Sequence, residues 1–387
     1  MGAAVDVAVI GAGPAGCAAA LALRRAGVDS VVLVAAAGGA RPRFGESLPP
    51  DCRLPLSDLG LWPAFQAQRP EPCVGSASSW GGDALGCNDF LFNPHGSGWH
   101  IERRQFDAFL LEQALAAGVA LRPGTAFEGA ANSGGGIAIR LRAGAGAAGT
   151  IEARFAVDAS GQRARLARAL GAVPQVNDRL ICVAALVKLD QEQPLGQMTL
   201  LEAVEYGWWY AARVGPEEAI VVLASDAELV RERRLHEAAS WRTHLAGTRH
   251  LATALGAADR ATGAPPALAV RRALSVRLDR CAGPNWLAVG DAASAYDPIS
   301  SQGVHKALVE GLAGARRIAQ WLREPDGAEL AGHQAWMDGR FAGYLRLRDY
   351  LYGQEIRWAD APFWQRRRQA TAAGLGATTT LRSPAHD

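Results

Sequence analysis

The sequence has 387 residues, of which 49% are hydrophobic and 20% charged. This composition allows a substantial core and excludes both wholesale disorder and a fibrous repeat. Lys and Arg total 40 against 38 Asp and Glu, and the net charge of +2 excludes the broad basic surface of a general nucleic-acid-binding protein. At about 100–200 residues per domain, the length predicts two or three domains.

The six cysteines lie far apart and form no CxxC or Cys/His cluster with the spacing of metal ligands. We therefore expect no metal site and reduced, buried thiols. The first residues lack the charged, apolar and cleavage regions of a signal peptide, and no apolar stretch reaches about 18 residues. These observations predict a cytoplasmic protein with no membrane span.

The first elements have the pattern of a parallel βαβ unit. An apolar run at Val5–Ile10 leads into a glycine-rich turn, an alanine-rich helical stretch at 17–25 and a second apolar run at 30–34. In this GxGxxG turn the first glycine permits the tight turn, the second lets backbone approach a pyrophosphate, and the third allows close helix packing. The sequence therefore predicts a dinucleotide site that comprises Gly11, Gly13, Pro14, Ala15 and Gly16.

One part of the dinucleotide pattern is missing. The acidic residue that would hold the adenosine ribose should close the second strand, and Ala35 stands there instead. Arg41 or Arg43 is the candidate for contacting the adenosine half by another geometry, and both are equally well interpreted as exposed loop arginines.

The middle of the chain alternates between helical and strand-like segments. An amphipathic helix is predicted at 103–117, glycine-rich hairpin turns at 129–149 and an apolar strand at 153–159. Residues 180–225 contain several strand-like runs that predict a separate sheet, and residues 227–255 are helical. An aromatic, arginine-rich helical region follows at 330–368, before a frayed tail at 371–387.

A second glycine-aspartate pair, Gly290 and Asp291, follows an apolar strand some 280 residues after the first turn. The Asp291 carboxylate can accept hydrogen bonds from the sugar-alcohol hydroxyls of a long cofactor. The helix that begins at Gly303 offers the backbone amides of Gly303 and Val304 to the negative charge of a reduced flavin. This combination points to FAD.

These motifs, together with Arg103 in an RxxFD segment, resemble flavoprotein monooxygenases of the group that contains para-hydroxybenzoate hydroxylase, geranylgeranyl reductases and flavin-dependent halogenases. The resemblance covers residues 4–370. It implies that Arg103 contacts the phosphate or ribityl region of the flavin and that Asp291 binds the ribityl chain or the pyrophosphate. The remaining expected FAD contacts are Arg43, Ser47, Asp158, Gly161, Gly290, Pro298 and Gln302.

The resemblance also implies the architecture. We expect an α/β (α+β composite) fold in which a GR2-type, Rossmann-like FAD domain is interrupted by a mostly antiparallel β-sheet substrate domain and closed by a helical C-terminus. The predicted boundaries are 1–75, 100–178 and 268–328 for the FAD domain, 76–99 and 179–267 for the substrate domain, 329–370 for a helical cap and 371–387 for a flexible tail.

Within this group, six segments resemble flavoproteins that mature tryptophan-derived quinone cofactors in partner amine dehydrogenases and amino-acid oxidases. They lie at 45–50, 79–81, 98–100, 207–210, 297–303 and 363–367. The resemblance implies a monooxygenase that hydroxylates a tryptophan side chain of a partner protein or peptide through a flavin C4a-hydroperoxide. O2 would be the co-substrate, and NAD(P)H or a separate reductase the electron donor.

Two other functions stay open. Tryptophan halogenases need a lysine early in the chain and a WxWxIP segment, and this sequence has neither: its two lysines are Lys188, in a strand, and Lys306, expected on a helix surface. A phenolic halogenase or small-molecule aromatic hydroxylase is not excluded. The third hypothesis is a flavin-binding assembly factor that docks on a partner without turnover.

Aromatic hydroxylation requires an apolar cavity and a base. Trp80, Trp99, Trp208, Trp209 and Tyr210 are the cavity candidates, and strand alternation places Trp208 and Tyr210 on one face and Trp209 on the other. His305, or less favourably His100, can accept the proton that is lost when the ring rearomatises. Glu46 is a further candidate for a direct polar contact at the reaction site. The basic aromatic segment at 357–368 either docks a partner or caps the core.

Overall fold

A computed structural model describes residues 4–36, 47–143, 148–189, 195–256, 266–325 and 327–368. The strands are β1 (Val5–Ile10), β2 (Val31–Val34), β3 (Ser47–Leu48), β4 (Glu71–Cys73), β5 (Gly75–Ser79), β6 (Gly86–Asp89), β7 (Gly98–His100), β8 (Ala120–Arg122), β9 (Thr125–Ser133), β10 (Gly136–Ala143), β11 (Ala148–Asp158), β12 (Pro174–Val176), β13 (Leu180–Lys188), β14 (Met198–Val204), β15 (Gly207–Gly215), β16 (Glu218–Asp226), β17 (Ala269–Arg272), β18 (Val276–Leu278), β19 (Ala282–Gly283), β20 (Trp286–Ala288) and β21 (Ser294–Ala295).

The α-helices are α1 (Pro14–Arg25), α2 (Arg53–Asp58), α3 (Trp62–Ala67), α4 (Arg103–Ala116), α5 (Arg165–Ala169), α6 (Ala227–Glu232), α7 (Ala238–Ala246), α8 (Leu251–Leu255), α9 (Gly303–Arg323) and α10 (Gly327–Gly353). Short 3-10 turns occur at Pro50–Cys52, Gly161–Arg163, Gly290–Ala292 and Pro298–Ser300. Within the described ranges, no helix is both long and apolar enough to cross a bilayer.

The chain divides into two compact units, the first made of Met1–Gly75, Asp89–Asp178 and Ala273–Ala342 and the second of Ser76–Asn88, Arg179–Arg272 and Gly343–Asp387. The predicted assignment of an FAD domain, a substrate domain and a C-terminal cap stays a prediction, because these units are defined by contacts within the chain and not by what they bind.

The first unit contains a sheet of order β19-β20-β11-β1-β2-β8, on which the β9–β10 hairpin pairs with β11. Strands β20, β11, β1, β2 and β8 run parallel, as the predicted βαβ unit requires. Alternate residues of β1 enter different cores: Val7 and Val9 pack in one hydrophobic cluster, and Ala8 and Ile10 in another. The sheet is therefore covered on both faces, as expected for a Rossmann-like fold.

The contact between α1 and α9 in the first unit depends on small residues. A Cβ atom on Gly311 would lie 2.6 Å from the backbone oxygen of Ala15 and 2.8 Å from the Cβ of Ala18. A Cβ on Gly290 would lie 2.7 Å from the Ala15 Cβ. Side chains at Gly311 and Gly290 would therefore force α9 and the turn after β20 away from α1.

The second unit contains a sheet of order β17-β13-β16-β15-β14-β5-β6, in which β17, β13, β16, β15 and β14 are antiparallel. It confirms the separate sheet expected from residues 180–225. On β15, Trp208 and Trp209 are both buried and face opposite sides. The Trp208 Nε1 donates a hydrogen bond to the Tyr352 hydroxyl at 3.0 Å, whereas Trp209 packs edge-on against Trp241. The period-two prediction is confirmed for these two rings, and both sides of the sheet are covered.

The C-terminal basic aromatic segment is anchored inside the second unit. Phe363 and Trp364 are buried, and Arg366 and Arg367 pair with the buried Asp226 carboxylate at 2.8 and 3.0 Å. These contacts favour the interpretation that the segment caps a core. The predicted helical region also breaks, because α10 ends at Gly353 and the helix resumes at 362–368.

The expectation of buried thiols is right for five cysteines and wrong for one. Cys17, Cys52, Cys73, Cys182 and Cys281 are buried and unbridged, whereas Cys87 is exposed on β6. Every residue of β6 is exposed, and the strand forms one edge of its sheet. The sequence around Cys87 has no periodic pattern from which this position could be predicted.

A buried histidine in the first unit makes the stability of the fold depend on pH. The His333 Nε2 donates a hydrogen bond to the Ala288 backbone oxygen at 2.9 Å, and burial lowers the pKa of this imidazole to about 4. An unfolded histidine has a pKa of about 6.5, so between these two values the unfolded state binds more protons than the folded state. The free energy of unfolding therefore falls as the pH falls through this window.

We expect the His333→Gln variant, which keeps a donor for Ala288, to lose much of this pH dependence. At pH 5 the wild-type protein should have lost about 2 kcal/mol of unfolding free energy through His333, relative to pH 7.5. Urea denaturation at both pH values measures the difference. His236→Gln, at an exposed imidazole, is the matched control and should retain the wild-type loss; an equal loss in His333→Gln would contradict the assignment.

Candidate FAD site

Three turns meet at the carboxyl edge of the parallel sheet in the first unit. Ile10 pairs with Asp158, and Asp158 pairs with Ala288, so β1, β11 and β20 end side by side. The turns that follow these strands begin at Gly11, Ala159 and Val289. Ligands of open α/β sheets bind at this edge, so the register brings the three predicted FAD motifs together.

The first turn has the geometry of a backbone cradle. Gly11 has φ +115°, and a Cβ there would overlap the Ala159 backbone oxygen, while a Cβ on Gly16 would overlap the Gly11 oxygen. Gly13, the N-cap of α1, has nothing within 4 Å of its Cβ position, and Pro14 occupies the first helical position. The space beside Gly13 and the helix N-terminus behind it fit the pyrophosphate of FAD.

The second helix N-terminus lies in the same unit. Helix α9 begins at Gly303 after Gln302, and the first turns of both α9 and α1 carry no acidic residue. The approach to α9 is fixed by Asp297, whose buried carboxylate accepts a hydrogen bond from the Ile299 amide at 2.9 Å across Pro298. Both helix ends therefore keep the positive potential that attracts an anionic cofactor. The contacts predicted for Pro298, Gln302, Gly303 and Val304 stay predictions.

The turn after β20 is held by charged residues of α9. Gly290 adopts φ +63° and its amide donates to the Glu310 Oε2 at 2.9 Å. The Asp291 carboxylate lies 3.2 Å from the Lys306 ammonium, and Asp291 is 39% exposed whereas Lys306 and Glu310 are fully buried. The expectation that Lys306 lies on the helix surface was wrong, because its partners come from a turn close in space and from Glu310, one helical turn further along.

Charges stabilise one another in this cluster. Burial alone would lower the pKa of the Lys306 ammonium, but the carboxylates of Glu310 and Asp291 raise it above its usual value. Burial raises the pKa of Glu310, which Lys306 and Arg340 oppose. The Lys306 ammonium also donates to the Ser294 backbone oxygen at 2.6 Å. Lys306 is therefore charged and committed to neighbouring acceptors.

The Asp158 side chain stabilises the turn that follows β11. Its carboxylate accepts hydrogen bonds from the Ser160 amide at 2.9 Å, the Ser160 hydroxyl at 2.6 Å and the Ala167 amide at 2.8 Å. Burial raises the pKa of this carboxyl, and the hydrogen bonds oppose the shift. Asp158 thereby fixes the loop in which Gly161 has φ +69°. Direct FAD contacts of Asp158 and Gly161 stay predictions.

The remaining cofactor candidates of the first unit are oriented by neighbours. The Arg103 guanidinium pairs with Asp107, one turn along α4, at 3.2 Å. The Ser47 hydroxyl lies 3.3 Å from the Nδ1 of the buried His100. The first pair lies within the RxxFD segment, whereas the second joins Ser47 on β3 to His100 on the neighbouring strand β7.

His305 lines a cavity of about 430 Å³ in the first unit. The other lining residues come from α2, α9 and α10: Leu54, Pro55, Asp58, Val309, Leu312, Ala313, Arg316, Arg317 and Trp336. Burial lowers the pKa of His305, an effect that Asp51 opposes and Arg340 reinforces. The imidazole is therefore neutral at neutral pH and able to accept a proton.

The aromatic candidates belong to separate packing clusters. Trp99 packs against Trp62 and Phe65 in the first unit. In the second unit, Trp80 and Trp208 both contact Tyr352, and the Trp80 Nε1 donates to the Leu351 backbone oxygen at 2.8 Å. Tyr210 is half-buried on β15. The catalytic roles predicted for Trp208 and Tyr210 stay predictions.

Two predicted residues, Glu46 and Arg43, and the alternative Arg41 lie outside the described residues. Ala35, which replaces the acidic residue of the usual pattern, is fixed through its backbone: its amide donates to the Arg122 oxygen at 3.1 Å, and its oxygen accepts from the Thr125 amide at 2.9 Å.

The cradle, the two helix N-termini and the aspartate turn define an FAD-dependent oxidoreductase. The chain belongs to the tryptophan halogenase family, whose profile matches residues 91–379. FAD is accordingly the cofactor, with O2 as co-substrate and a reductase as the source of reduced flavin.

Individual relatives differ in length and activity. The putative FAD-dependent oxidoreductase LodB of Marinomonas mediterranea is 28% identical, over 95% of this chain and 98% of its own. The tryptophan 2-halogenase of Chondromyces crocatus is 26% identical, and the match covers 80% of this chain and 60% of the halogenase. The match therefore extends over nearly all of LodB and over 60% of that halogenase.

Solved structures show the same fold. The flavin-dependent halogenase CmlS is 25% identical with a TM-score of 0.79, and the match covers 98% of this chain and 71% of CmlS. The peptidyl tryptophan dihydroxylase QhpG, described as essential for tryptophylquinone cofactor biogenesis, is 25% identical with a TM-score of 0.70, over 95% of this chain and 79% of QhpG. The expected Rossmann-like architecture with a helical C-terminus is confirmed.

Substituting Gly13 tests where the pyrophosphate lies. Gly13→Ala should leave the apoprotein folded, because nothing lies within 4 Å of the new Cβ. The methyl group would occupy the cradle and should weaken FAD binding at least about tenfold, or about 1.4 kcal/mol. Equilibrium dialysis with FAD measures the affinity and thermal unfolding of the apoprotein checks the fold.

The matched control is Gly339→Ala in α10, where the added Cβ also meets nothing within 4 Å. This variant should bind FAD as the wild type does. Wild-type affinity in Gly13→Ala would place the pyrophosphate away from the cradle.

Proposed function

We propose that this protein is an FAD-dependent monooxygenase that hydroxylates a tryptophan side chain in a partner protein or peptide during quinone cofactor maturation. The observation that carries the proposal is the position of its two lysines. The halogenases that the sequence resembles depend on a lysine early in the chain to guide hypohalous acid, and here the first lysine is residue 188.

Neither lysine suits that task. Lys306 is fully buried, and its ammonium lies 2.6 Å from the Ser294 oxygen, 3.2 Å from the Asp291 carboxylate and 3.6 Å from the Glu310 carboxylate. Lys188 is exposed at the end of β13, opposite Glu218 on the neighbouring strand. An ammonium enclosed by acceptors cannot carry an oxidised halogen to a substrate, and one on an exposed strand end cannot exclude water.

One comparison supports hydroxylation of a peptide-bound ring. QhpG, a peptidyl tryptophan dihydroxylase, covers 95% of this chain at 25% identity. The substrate class and the partner belong to the proposal.

The reaction needs few groups from the protein. When bound, reduced FAD would supply two electrons to O2, so that one oxygen atom would be inserted into a ring C–H bond as a hydroxyl group and the other would leave as water. The cradle at Gly11, Gly13 and Gly16 would hold the pyrophosphate, and the N-terminus of α9 would stabilise negative charge on the flavin. The neutral His305 imidazole would take up the ring proton when aromaticity is restored.

Product analysis tests the proposal. The FAD-loaded protein would be supplied with NADH, a flavin reductase and a tryptophan-containing peptide under ¹⁸O₂, with and without bromide. We expect the peptide to gain ¹⁸O on the indole ring in both conditions, as measured by mass spectrometry. A matched reaction with a phenylalanine peptide tests whether the indole ring is required. A second, with free tryptophan, tests whether the substrate must be part of a peptide.

Halogenation is the second candidate, because the chain belongs to the tryptophan halogenase family. A brominated peptide or a brominated free aromatic would overturn the proposal in favour of this candidate. Labelling of free tryptophan but not of the peptide would replace the peptide substrate with a small molecule. Absence of product in every arm, with FAD bound, would leave an assembly factor.

The role of His305 predicts the pH dependence. Because burial lowers the pKa of this imidazole, its basic form persists to lower pH than that of an ordinary histidine. The acidic limb of the kcat/KM profile should therefore lie below about pH 6.5. His305→Gln should reduce kcat about 100-fold and flatten this limb, whereas His236→Gln, at an exposed imidazole, should retain both. An unchanged profile in His305→Gln would assign the base elsewhere.

A further inference from the structure

The buried charges on α9 lie directly beneath the turn that follows β20. Lys306 and Glu310 are one helical turn apart and fully buried. Lys306 contacts the Asp291 carboxylate, and Glu310 accepts a hydrogen bond from the Gly290 amide. The consecutive residues Gly290 and Asp291 are thus each bound by a charged side chain of α9.

Burial of this pair carries a cost that the fold alone does not require. Removing an ammonium and a carboxylate from water costs several kcal/mol per ion, and apolar residues of similar volume often stabilise a fold as well or better. The neighbours of the pair are polar as well: Arg340 lies 3.3 Å from Glu310, and the Tyr296 ring centre lies 4.8 Å from the Lys306 ammonium. A binding role would account for the retention of such a cluster.

The place of Asp291 explains why it needs a cation. Gly290 packs on Ala15 in the first turn of α1, so Asp291 lies close to the helix end that fits the pyrophosphate. An isolated carboxylate there would repel phosphate oxygens. The Lys306 ammonium, 3.2 Å away on the buried side, partly neutralises the negative charge of Asp291. The carboxylate is itself partly exposed, so it can accept hydrogen bonds from hydroxyl groups of the cofactor.

We propose that Lys306 and Glu310 are positioning residues for FAD: they fix the Gly290 and Asp291 turn and offset the Asp291 charge. Lys306 acts through the Asp291 carboxylate, whereas Glu310 holds the Gly290 amide, so the contribution of Lys306 to FAD affinity should disappear when Asp291 is altered. The inference depends on FAD as the cofactor and not on whether the reaction is hydroxylation or halogenation.

The test is a double-mutant cycle on the FAD dissociation constant of apoprotein. Lys306→Met should weaken FAD binding about tenfold or more, which is about 1.4 kcal/mol. In the Asp291→Asn background, the same substitution should change the dissociation constant by less than about threefold. A merely structural Lys306 would lower the melting temperature of the apoprotein without this dependence on Asp291.

The chain offers a matched control, because Lys188→Met alters its only other lysine, which is exposed. This variant should bind FAD as the wild type does. Lys306→Met leaves the buried Glu310 with Arg340 as its remaining cationic partner. The double variant Lys306→Met/Glu310→Gln, which removes both charges of the pair, therefore safeguards the test against misfolding. It should recover apoprotein stability and still bind FAD weakly.

Two results would overturn the proposal. One is wild-type FAD affinity in folded Lys306→Met or in the double variant. The other is an equal loss of affinity when Lys306→Met is introduced into the wild-type protein and into the Asp291→Asn variant, which would mean that Lys306 acts independently of the turn.

Discussion

The approach of α9 to α1 is the contact on which the FAD site depends. Gly311 lets the two helices touch at Ala15 and Ala18, and Gly290 brings the turn after β20 onto the same end of α1. Since β1, β11 and β20 end in register, one packing contact and one sheet edge together position the cradle, the Asp158 turn and the aspartate of the third turn. A larger side chain at either glycine would separate them.

The sequence predicted those parts of the site that depend on local backbone geometry. The turn from Gly11 to Gly16 is recognisable because its glycines satisfy steric conditions within six residues, and the order of the motifs revealed the parallel strands. The helix predicted at 103–117 is α4. The glycine-rich segment predicted as hairpin turns at 129–149 contains the turn at 134–135 between β9 and β10, and most of its other described residues belong to strands. Structural constraints that act over a few neighbouring residues can therefore be predicted from the residue pattern.

The charged core of the site could not be predicted in this way. A lysine and a glutamate four residues apart, at 306 and 310, are typical of a solvated helix face. Here their partners are the Gly290 amide, Asp291 and Arg340, which are distant in sequence, so only the tertiary structure shows that this face is inward. The aromatic residues posed the same problem, since Trp80 and Trp208 share the partner Tyr352 over more than 140 residues.

The chain has five buried thiols and one exposed thiol, so the reactivity of its cysteines can report local unfolding. Cys87 on the edge strand β6 should react with a thiol reagent in the native state, whereas the other five become accessible only when their surroundings separate. Burial raises the pKa of Cys281 to about 12 and also raises the pKa of Cys52, which suppresses the reactive thiolate. Cys281 and Cys52 belong to the first unit and Cys182 to the second, so the order in which they become modified would show which unit opens first.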